Sequence, residues 1–216
     1  MLFRSHAGAA GVLVREHPGL QVHVSEIGAP HLVDPSRLER SARRLYGEAF
    51  DTLWGELAPV PAQNVHAVGS TVLGLECFPS PGHASHHVCY HDGGTLFAGD
   101  AAGVRIEPSS FVLPPTPPPE VDLDAWRHSI DEIERRRPQR LALIHFGVAE
   151  DVGRHLGELR ARLEEWSVRV RDGQSEKEFA AAAVADLGRD RAAYEQAMPF
   201  WQSYAGLKRY WEKRAA

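Results

Sequence analysis

Residues 78–87 read FPSPGHASHH, and residues 96–103 read LFAGDAAG. The first stretch continues an apolar, strand-like run over residues 71–78 and places His83 directly after a Pro-Gly pair. The second stretch is an apolar run that ends in a Gly-Asp pair, and it therefore places Asp100 at the end of a predicted strand. Because loops at strand ends are held by a rigid scaffold, both side chains are candidates for one functional site.

Three further segments extend this pattern. Residues 87–90 and 95–98 lie on either side of an Asp-Gly-Gly turn, which predicts a β-hairpin. Residues 141–144 read LALI and predict a buried strand, with His145 directly after it. Near the N-terminus, His6 precedes the small residues of a predicted short helix. Imidazole and carboxylate groups suit zinc, iron or manganese. A histidine after a strand is more often a capped or surface residue, however, so spacing alone leaves both interpretations open.

The rest of the chain alternates between strand and helix patterns and then becomes helical. The predicted strands are 20–24 and 64–68, and the predicted helices are 7–16, 35–57, 122–136 and most of the chain from residue 150. The proline-rich segment 107–120 can be neither helix nor central strand, and it is either a flap over a cleft or a rigid connector. This order of elements predicts a layered protein of the α/β or α+β class.

Composition excludes several classes of partner. The 216 residues carry a formal net charge of −5, so no basic excess indicates a nucleic acid or an anionic membrane. No apolar run approaches the roughly 20 residues that a membrane span needs, and the N-terminus is too short and polar for a signal peptide. Cys77 and Cys89 form neither a disulfide framework nor a CxxC pair. We therefore expect a soluble cytoplasmic protein.

In their order and spacing, the four histidine- and aspartate-bearing segments resemble the metallo-β-lactamase superfamily. In that family a strand leads into a Pro-Gly-His ligand, a hairpin ends in a Gly-Asp pair, and a last strand delivers a further histidine. The resemblance covers residues 6 to about 165 and implies a four-layer αββα sandwich of the α/β (α+β) class. It divides the chain into a metallo-β-lactamase-like domain, 1–165, and a C-terminal helical extension, 166–216.

The resemblance also implies a site. His83 would be a ligand of a first metal ion, His6 and His145 ligands of a second, and Asp100 the carboxylate that bridges both. Asp100 and His83 would then be the residues nearest the reaction. The family uses two zinc ions, with iron or manganese as alternatives, to activate a hydroxide that attacks an ester, thioester, lactone or phosphoester. The resemblance therefore implies a small-molecule substrate.

The family's N-terminal signature, His-x-His-x-Asp-His, is incomplete here. Aligned on His6, the sequence places Met1 and Phe3 where two histidines of the family stand, and Ser5 where an aspartate stands. Aliphatic and phenyl groups cannot ligate a hard or borderline metal ion, and serine is a poor substitute for a carboxylate. Strands that precede the signature in the family are also missing. We expect a frameshift or truncation to explain both departures, and the alternatives are a start codon placed too far downstream and a genuinely degenerate descendant. The alternative function is a non-catalytic, metal-poor remnant that acts as a binding or oligomerisation module.

The other histidines and the C-terminal aromatics carry less specific predictions. His86 and His87 flank the predicted ligand, and one of them could orient His83 or Asp100 through a hydrogen bond. Aromatic residues recur along residues 194–210 and are predicted to pack helices against the domain or against a second subunit, which would make a homo-oligomer. The histidines predicted to lie on the surface are His17, His23, His31, His66, His91, His128 and His155.

Overall fold

The structure of the protein is a computed structural model that describes residues 7–145 and 147–215. The chain forms two compact units, which divide between Cys77 and Phe78. The boundary predicted near residue 165 is a different division, and it stays a prediction. Among the described residues, no helix is both long enough and apolar enough to cross a bilayer.

Short helices and short strands alternate in the first unit. The elements are α1 (Ala10–Glu16), β1 (Val22–Val24), α2 (Ala29–Val33), α3 (Ser36–Tyr46), α4 (Phe50–Trp54), β2 (Val65–Ala67), β3 (Thr71–Val72) and β4 (Leu75–Pro79). Strands β1 and β2 pair in parallel. Asn64 anchors this pair, because its side-chain amide donates hydrogen bonds to the carbonyl oxygens of Pro18 and Leu20 at 3.0 and 2.7 Å. Two apolar clusters form the core: Val14, Leu32 and Val60 in one, and Ala42, Phe50 and Trp54 in the other.

The single helix predicted over residues 35–57 is wrong in its length. Helix α3 ends at Tyr46, a 3-10 turn covers Gly47–Ala49, and α4 follows as a separate short helix. Gly47 has a φ of 53°, a left-handed conformation that glycine adopts without strain and that ends an α-helix. The apolar spacing continues across this turn because both helices bury one face. The periodicity therefore predicted which face is buried but could not predict the break between the helices.

The strand predicted over residues 71–78 is a tight hairpin formed by β3 and β4. Thr71 pairs with Glu76 and Val72 with Leu75. Leu73 and Gly74 have φ values of 51° and 83°, and positive values at both central residues are typical of the type I′ turns that suit two-residue hairpins. The side chain of Leu73 is 87% exposed at the tip.

The second unit holds the longer elements. They are β5 (Val88–His91), β6 (Thr95–Phe97), α5 (Leu123–Arg136), β7 (Arg140–Leu143), β8 (Gly147–Ala149), α6 (Val152–Arg171), α7 (Glu176–Leu187), α8 (Arg191–Ala197) and α9 (Phe200–Ala215). The strand order in the sheet is β3-β4-β5-β6-β7-β8. Strands β6 and β7 are parallel, whereas the pairs β5–β6 and β7–β8 are antiparallel. The parallel pair needs a crossover, and the segment that contains α5 provides it.

Predictions for the second unit are largely confirmed. The β5–β6 hairpin and strand β7 lie where the sequence predicted them. Helix α5 begins after Asp122, whose carboxylate caps it by accepting hydrogen bonds from the backbone N–H groups of Asp124 and Ala125. Within the described residues 104–121 there is no helix or strand, only an isolated bridge between Val104 and Leu113. A mixed sheet, interspersed helices and a helical C-terminal region confirm the predicted α/β class.

Candidate metal centre

Asp100 lies on a 3-10 turn, Gly99–Ala102, that follows strand β6, and its side chain is fully buried. Gly99 has a φ of 52°, and a Cβ added there would fall 2.4 Å from Nε2 of His87. The same nitrogen accepts a hydrogen bond from the backbone N–H of Asp100 at 3.2 Å. Asp100 therefore lies at a strand end, as predicted, and the turn at Gly99 that places it there packs against the ring of His87.

Two ring N–H groups from elsewhere in the chain also hold this turn. Nε1–H of Trp126 donates to the carbonyl oxygen of Ala101, and Nε2–H of His155 donates to that of Ala102, both at 2.8 Å. Both rings are buried. Burial lowers the pKa of His155 and so favours its neutral ring. The backbone that carries Asp100 is thus fixed by groups from α5, from α6 and from the loop before β5.

The prediction that His91 and His155 lie on the surface is wrong, because they are only 8% and 1% exposed. His155 follows Val152 by three positions and precedes Leu159 by four, which places it on the inward face of α6. This three- and four-residue spacing is the sequence pattern from which the burial of His155 could have been predicted. His66 and His128 are exposed, as predicted.

His83 follows β4 through the Pro-Gly pair. Its ring lies edge-on to Trp126, with ring centroids 5.9 Å apart. Nδ1 of His83 lies 2.7 Å from the carbonyl oxygen of Pro115. Because a carbonyl oxygen can only accept, Nδ1 carries the proton, and the neutral ring then has an unprotonated Nε2.

His145 lies in the turn between β7 and β8, and its Nε2 approaches the same carboxylate from another side. The distances are 3.3 Å from Nε2 of His83 to Oδ2 of Asp100 and 3.3 Å from Nε2 of His145 to Oδ1. The two imidazole side chains are 10% and 7% exposed, and the carboxylate is 0% exposed. The structure therefore brings together three of the four predicted ligands, with Asp100 in the middle.

The fourth predicted ligand, His6, lies outside the described residues, as do the other positions of the incomplete signature. Across 7–145 and 147–215, no group of three or more His, Cys, Asp or Glu residues converges so as to hold a metal ion. In this cluster the nearest approaches of the two imidazole nitrogens are to different oxygens of Asp100.

The chemistry of the donor set fits metal ions. In the neutral tautomer of His83, an unprotonated nitrogen faces a carboxylate oxygen, and two acceptors at this distance need a proton or a metal cation between them. Imidazole nitrogen and carboxylate oxygen are common ligands of zinc. The bond from His83 to the carbonyl of Pro115 is the kind of outer hydrogen bond that orients metal-binding histidines.

His87 is the one of the two flanking histidines that contacts the backbone of Asp100. Since Nε2 accepts from that backbone, Nδ1 carries the proton and donates to Oγ of Ser80 at 2.6 Å. The thiol of Cys89 also donates to Oγ of Ser80, at 3.2 Å. Burial raises the pKa of Cys89 to about 12, so this thiol is a hydrogen-bond donor and has no character of a nucleophile.

Comparison with known proteins gives a family match. Residues 6–147 match the family model of the metallo-β-lactamase superfamily. No curated protein matches the sequence. A metallo-β-lactamase family protein from Thermus thermophilus has a TM-score of 0.66 at 21% identity, over 98% of this chain and 72% of its own.

Two further solved structures are similar at lower scores. An archaeal metallo-β-lactamase superfamily protein from Sulfolobus tokodaii has a TM-score of 0.59 at 22% identity, over 72% of this chain. The chain spans 61% of the length of that protein. The metallo-β-lactamase FIM-1 from Pseudomonas aeruginosa, in its mono-zinc form, has a TM-score of 0.45 at 16% identity, over 72% of this chain and 60% of its own. The likeness to the Sulfolobus protein concerns the fold alone, and the zinc belongs to the Pseudomonas protein.

Proposed function

The chain belongs to the metallo-β-lactamase superfamily, and we propose that it is a metal-dependent hydrolase with a centre built on His83, Asp100 and His145. The observation that carries the proposal is the carboxylate of Asp100 between two imidazole nitrogens, each at 3.3 Å. Zinc is the proposed metal, with iron or manganese as alternatives that the same ligands accept.

In the proposed centre, the described residues serve as metal ligands or as supports that orient those ligands. His83, His145 and Asp100 would hold the metal ions, with Asp100 as the shared carboxylate. When bound, a pair of divalent cations lowers the pKa of water to about 7 and polarises a carbonyl or phosphoryl oxygen. The burial of the cluster strengthens electrostatic interactions within it. Because Trp126 and His155 hold the backbone of Asp100, the carboxylate need not reorganise when cations bind.

The proposed substrates are small electrophilic esters, thioesters, lactones or phosphoesters. One fold can host several hydrolytic chemistries, so the substrate class follows from assay of a panel rather than from the architecture. Nothing in the described cluster is specific to β-lactams.

The first prediction concerns metal content and turnover. We expect the purified protein to bind about two equivalents of zinc, iron or manganese and to hydrolyse at least one member of an ester, thioester, lactone and phosphodiester panel. His83→Ala and Asp100→Asn should each abolish turnover and lower the metal content measured by inductively coupled plasma mass spectrometry. His128→Ala, at an exposed histidine on α5, is the matched control and should leave both unchanged.

A second candidate is a non-catalytic binding or oligomerisation module. It is favoured by the lack of a convergent metal-binding group within the described ranges and by Met1, Phe3 and Ser5 in the signature. Metal content below about half an equivalent after zinc supplementation, with any turnover unaffected by His83→Ala, would support the module and contradict the hydrolase. Light scattering would then test whether the C-terminal helices form a dimer, which is the property that the module predicts.

A further inference from the structure

The segment over residues 115–119 lies between His83 and helix α9. On one side, the carbonyl oxygen of Pro115 accepts the hydrogen bond from Nδ1 of His83 at 2.7 Å. On the other side, Oγ1 of the next residue, Thr116, donates to the carbonyl oxygen of Ser203 at 3.1 Å. Thr116 and Ser203 are both fully buried. Two consecutive residues of one segment thus face the metal centre and the C-terminal helix, respectively.

Helix α9 and this segment approach each other backbone to backbone at Gly206. A Cβ added at Gly206 would fall 2.0 Å from the carbonyl oxygen of Thr116 and 2.8 Å from the carbonyl carbon of Pro117. Both atoms belong to the backbone, so no side-chain rotation could make room. The glycine therefore sets how close the segment lies to the helix.

Further along, the same helix also holds the end of the segment. Nε of Arg209 and Nζ of Lys213 donate to the carbonyl oxygen of Pro119, at 3.3 and 3.2 Å. Positions 203, 206, 209 and 213 follow one another at three- and four-residue spacing, so they share one face of α9. Segment 115–119 is therefore fixed along that face from its first residues to its last.

We propose that α9 is a positioning element of the metal centre, acting through Gly206 and Thr116. These residues fix the carbonyl of Pro115, and that carbonyl fixes the ring orientation and the tautomer of His83, so that Nε2 faces Asp100. The assignment of His83 as a ligand rests on the proposed function. The positioning of its ring does not, because each of these hydrogen bonds joins two groups of the chain itself.

The expected size of the effect follows from how outer hydrogen bonds act on ligand histidines. Their loss lowers metal affinity by about 10- to 100-fold, because the ring must be reoriented at each binding event. Gly206→Ala should displace residues 116 and 117 and so separate the carbonyl of Pro115 from Nδ1 of His83. Gly157→Ala in α6 is the matched control, because a Cβ at that helical glycine meets nothing within 4 Å.

A second pair of variants keeps α9 itself intact. Thr116→Val preserves the shape of the side chain but removes the hydroxyl that donates to Ser203. Thr116→Ser retains that hydroxyl and should restore what valine loses. We expect Thr116→Val to behave like a milder Gly206→Ala, and Thr116→Ser to stay within about threefold of the unaltered chain in metal affinity.

Two readouts on the full chain test the proposal. Nitrogen-15 NMR of the histidine rings in metal-free protein reports the tautomer of His83, assigned by loss of its signal in His83→Gln. Competition with a chromophoric chelator reports the affinity for zinc. Gly206→Ala and Thr116→Val should mix or reverse the tautomer of His83 and weaken zinc binding, whereas Gly157→Ala and Thr116→Ser should do neither.

The proposal is overturned if Gly206→Ala and Thr116→Val, with unchanged circular dichroism, retain the protonated Nδ1 of His83. If Gly206→Ala does not fold, Thr116→Val alone decides by the same signal. If the unaltered chain binds no zinc but the variants change the tautomer, the proposed function fails and the positioning inference stands. If zinc binds and no variant changes the tautomer, the positioning inference fails and the proposed function stands.

Discussion

Gly82 shows how one residue sets the position of a candidate ligand. Its φ is 135°, and a Cβ added there would fall 2.3 Å from Cβ and 2.4 Å from Cα of Trp126. The backbone before His83 therefore passes directly against α5, which brings the imidazole edge-on to the indole. Two separate physical requirements, a positive φ and a close approach, fall on the same glycine.

These two requirements can be separated by substitution. Gly82→Ala should lower the free energy of unfolding by more than about 3 kcal/mol, because both the left-handed backbone and the clash with Trp126 are penalised. Gly93→Ala, at a φ of 91° with nothing within 4 Å of the added Cβ, should lose only about 1 kcal/mol. Urea denaturation followed by tryptophan fluorescence measures both. Equal losses would show that the close approach to α5 contributes nothing.

The residues of the site differ in how well the sequence could predict them. His83, Asp100 and His145 each follow an apolar run, and strand ends are a pattern that sequence reveals. Trp126 and His155 were missed as supporting residues, since each donates to a backbone carbonyl, and an acceptor of that kind has no residue type to recognise. Pro115 acts through its backbone carbonyl oxygen, so its residue type likewise gives no sign of this role in the sequence.

Among the elements, those with a strong pattern and a cap were predicted well, and those interrupted by a single residue were not. Helix α5 has both an apolar face and the cap at Asp122, and its predicted start at residue 122 lies within one residue of the observed one. The helix predicted over 35–57 failed at Gly47, and the strand over 71–78 failed at Leu73. In both places one backbone conformation with positive φ redirects the chain while the apolar pattern continues across it.

The start of helix α6 supplies a prediction about pH. Burial opposes ionisation of Asp151, but hydrogen bonds from Arg154 and Arg105 outweigh it and lower the pKa of this carboxyl from 3.8 to about 2. A carboxyl whose pKa is lower in the folded state binds protons more readily when unfolded. Its stabilising contribution is therefore complete above its unfolded pKa and is lost as the pH falls through the folded value.

Asp151→Asn tests this directly. At about pH 5 the unaltered chain should be more stable than the variant by roughly 1 kcal/mol after solvent screening, and the difference should vanish toward about pH 2. Urea midpoints of both proteins at several pH values give the difference. A gap that stays constant across this range would mean that the arginine contacts do not stabilise the folded state.

For the protein as a whole, the two compact units predict unequal resistance to denaturant. The first unit has two small apolar clusters, whereas the fully buried residues of the second include Trp126, Trp166 and Tyr194. Since less buried apolar area gives less stabilisation, the first unit should open at lower urea. The backbone amides of α3 and α5 report on the two units separately, because α3 lies well inside the first unit and α5 well inside the second.

Pulses of hydrogen–deuterium exchange at increasing urea, followed by peptide mass spectrometry, measure this. At intermediate urea, we expect the amides of α3 to exchange well before those of α5. Identical labelling curves would show that the chain unfolds as one cooperative unit.

The exposed tip of the β3–β4 hairpin offers a practical handle. Leu73 is 87% exposed, and a Cβ added at Gly74 meets nothing within 4 Å, so no packing depends on either position. Loop tips of this kind tolerate inserted peptides. An epitope or a fluorophore-binding tag grafted between these two residues would let the protein be tracked in cells with both of its ends left native.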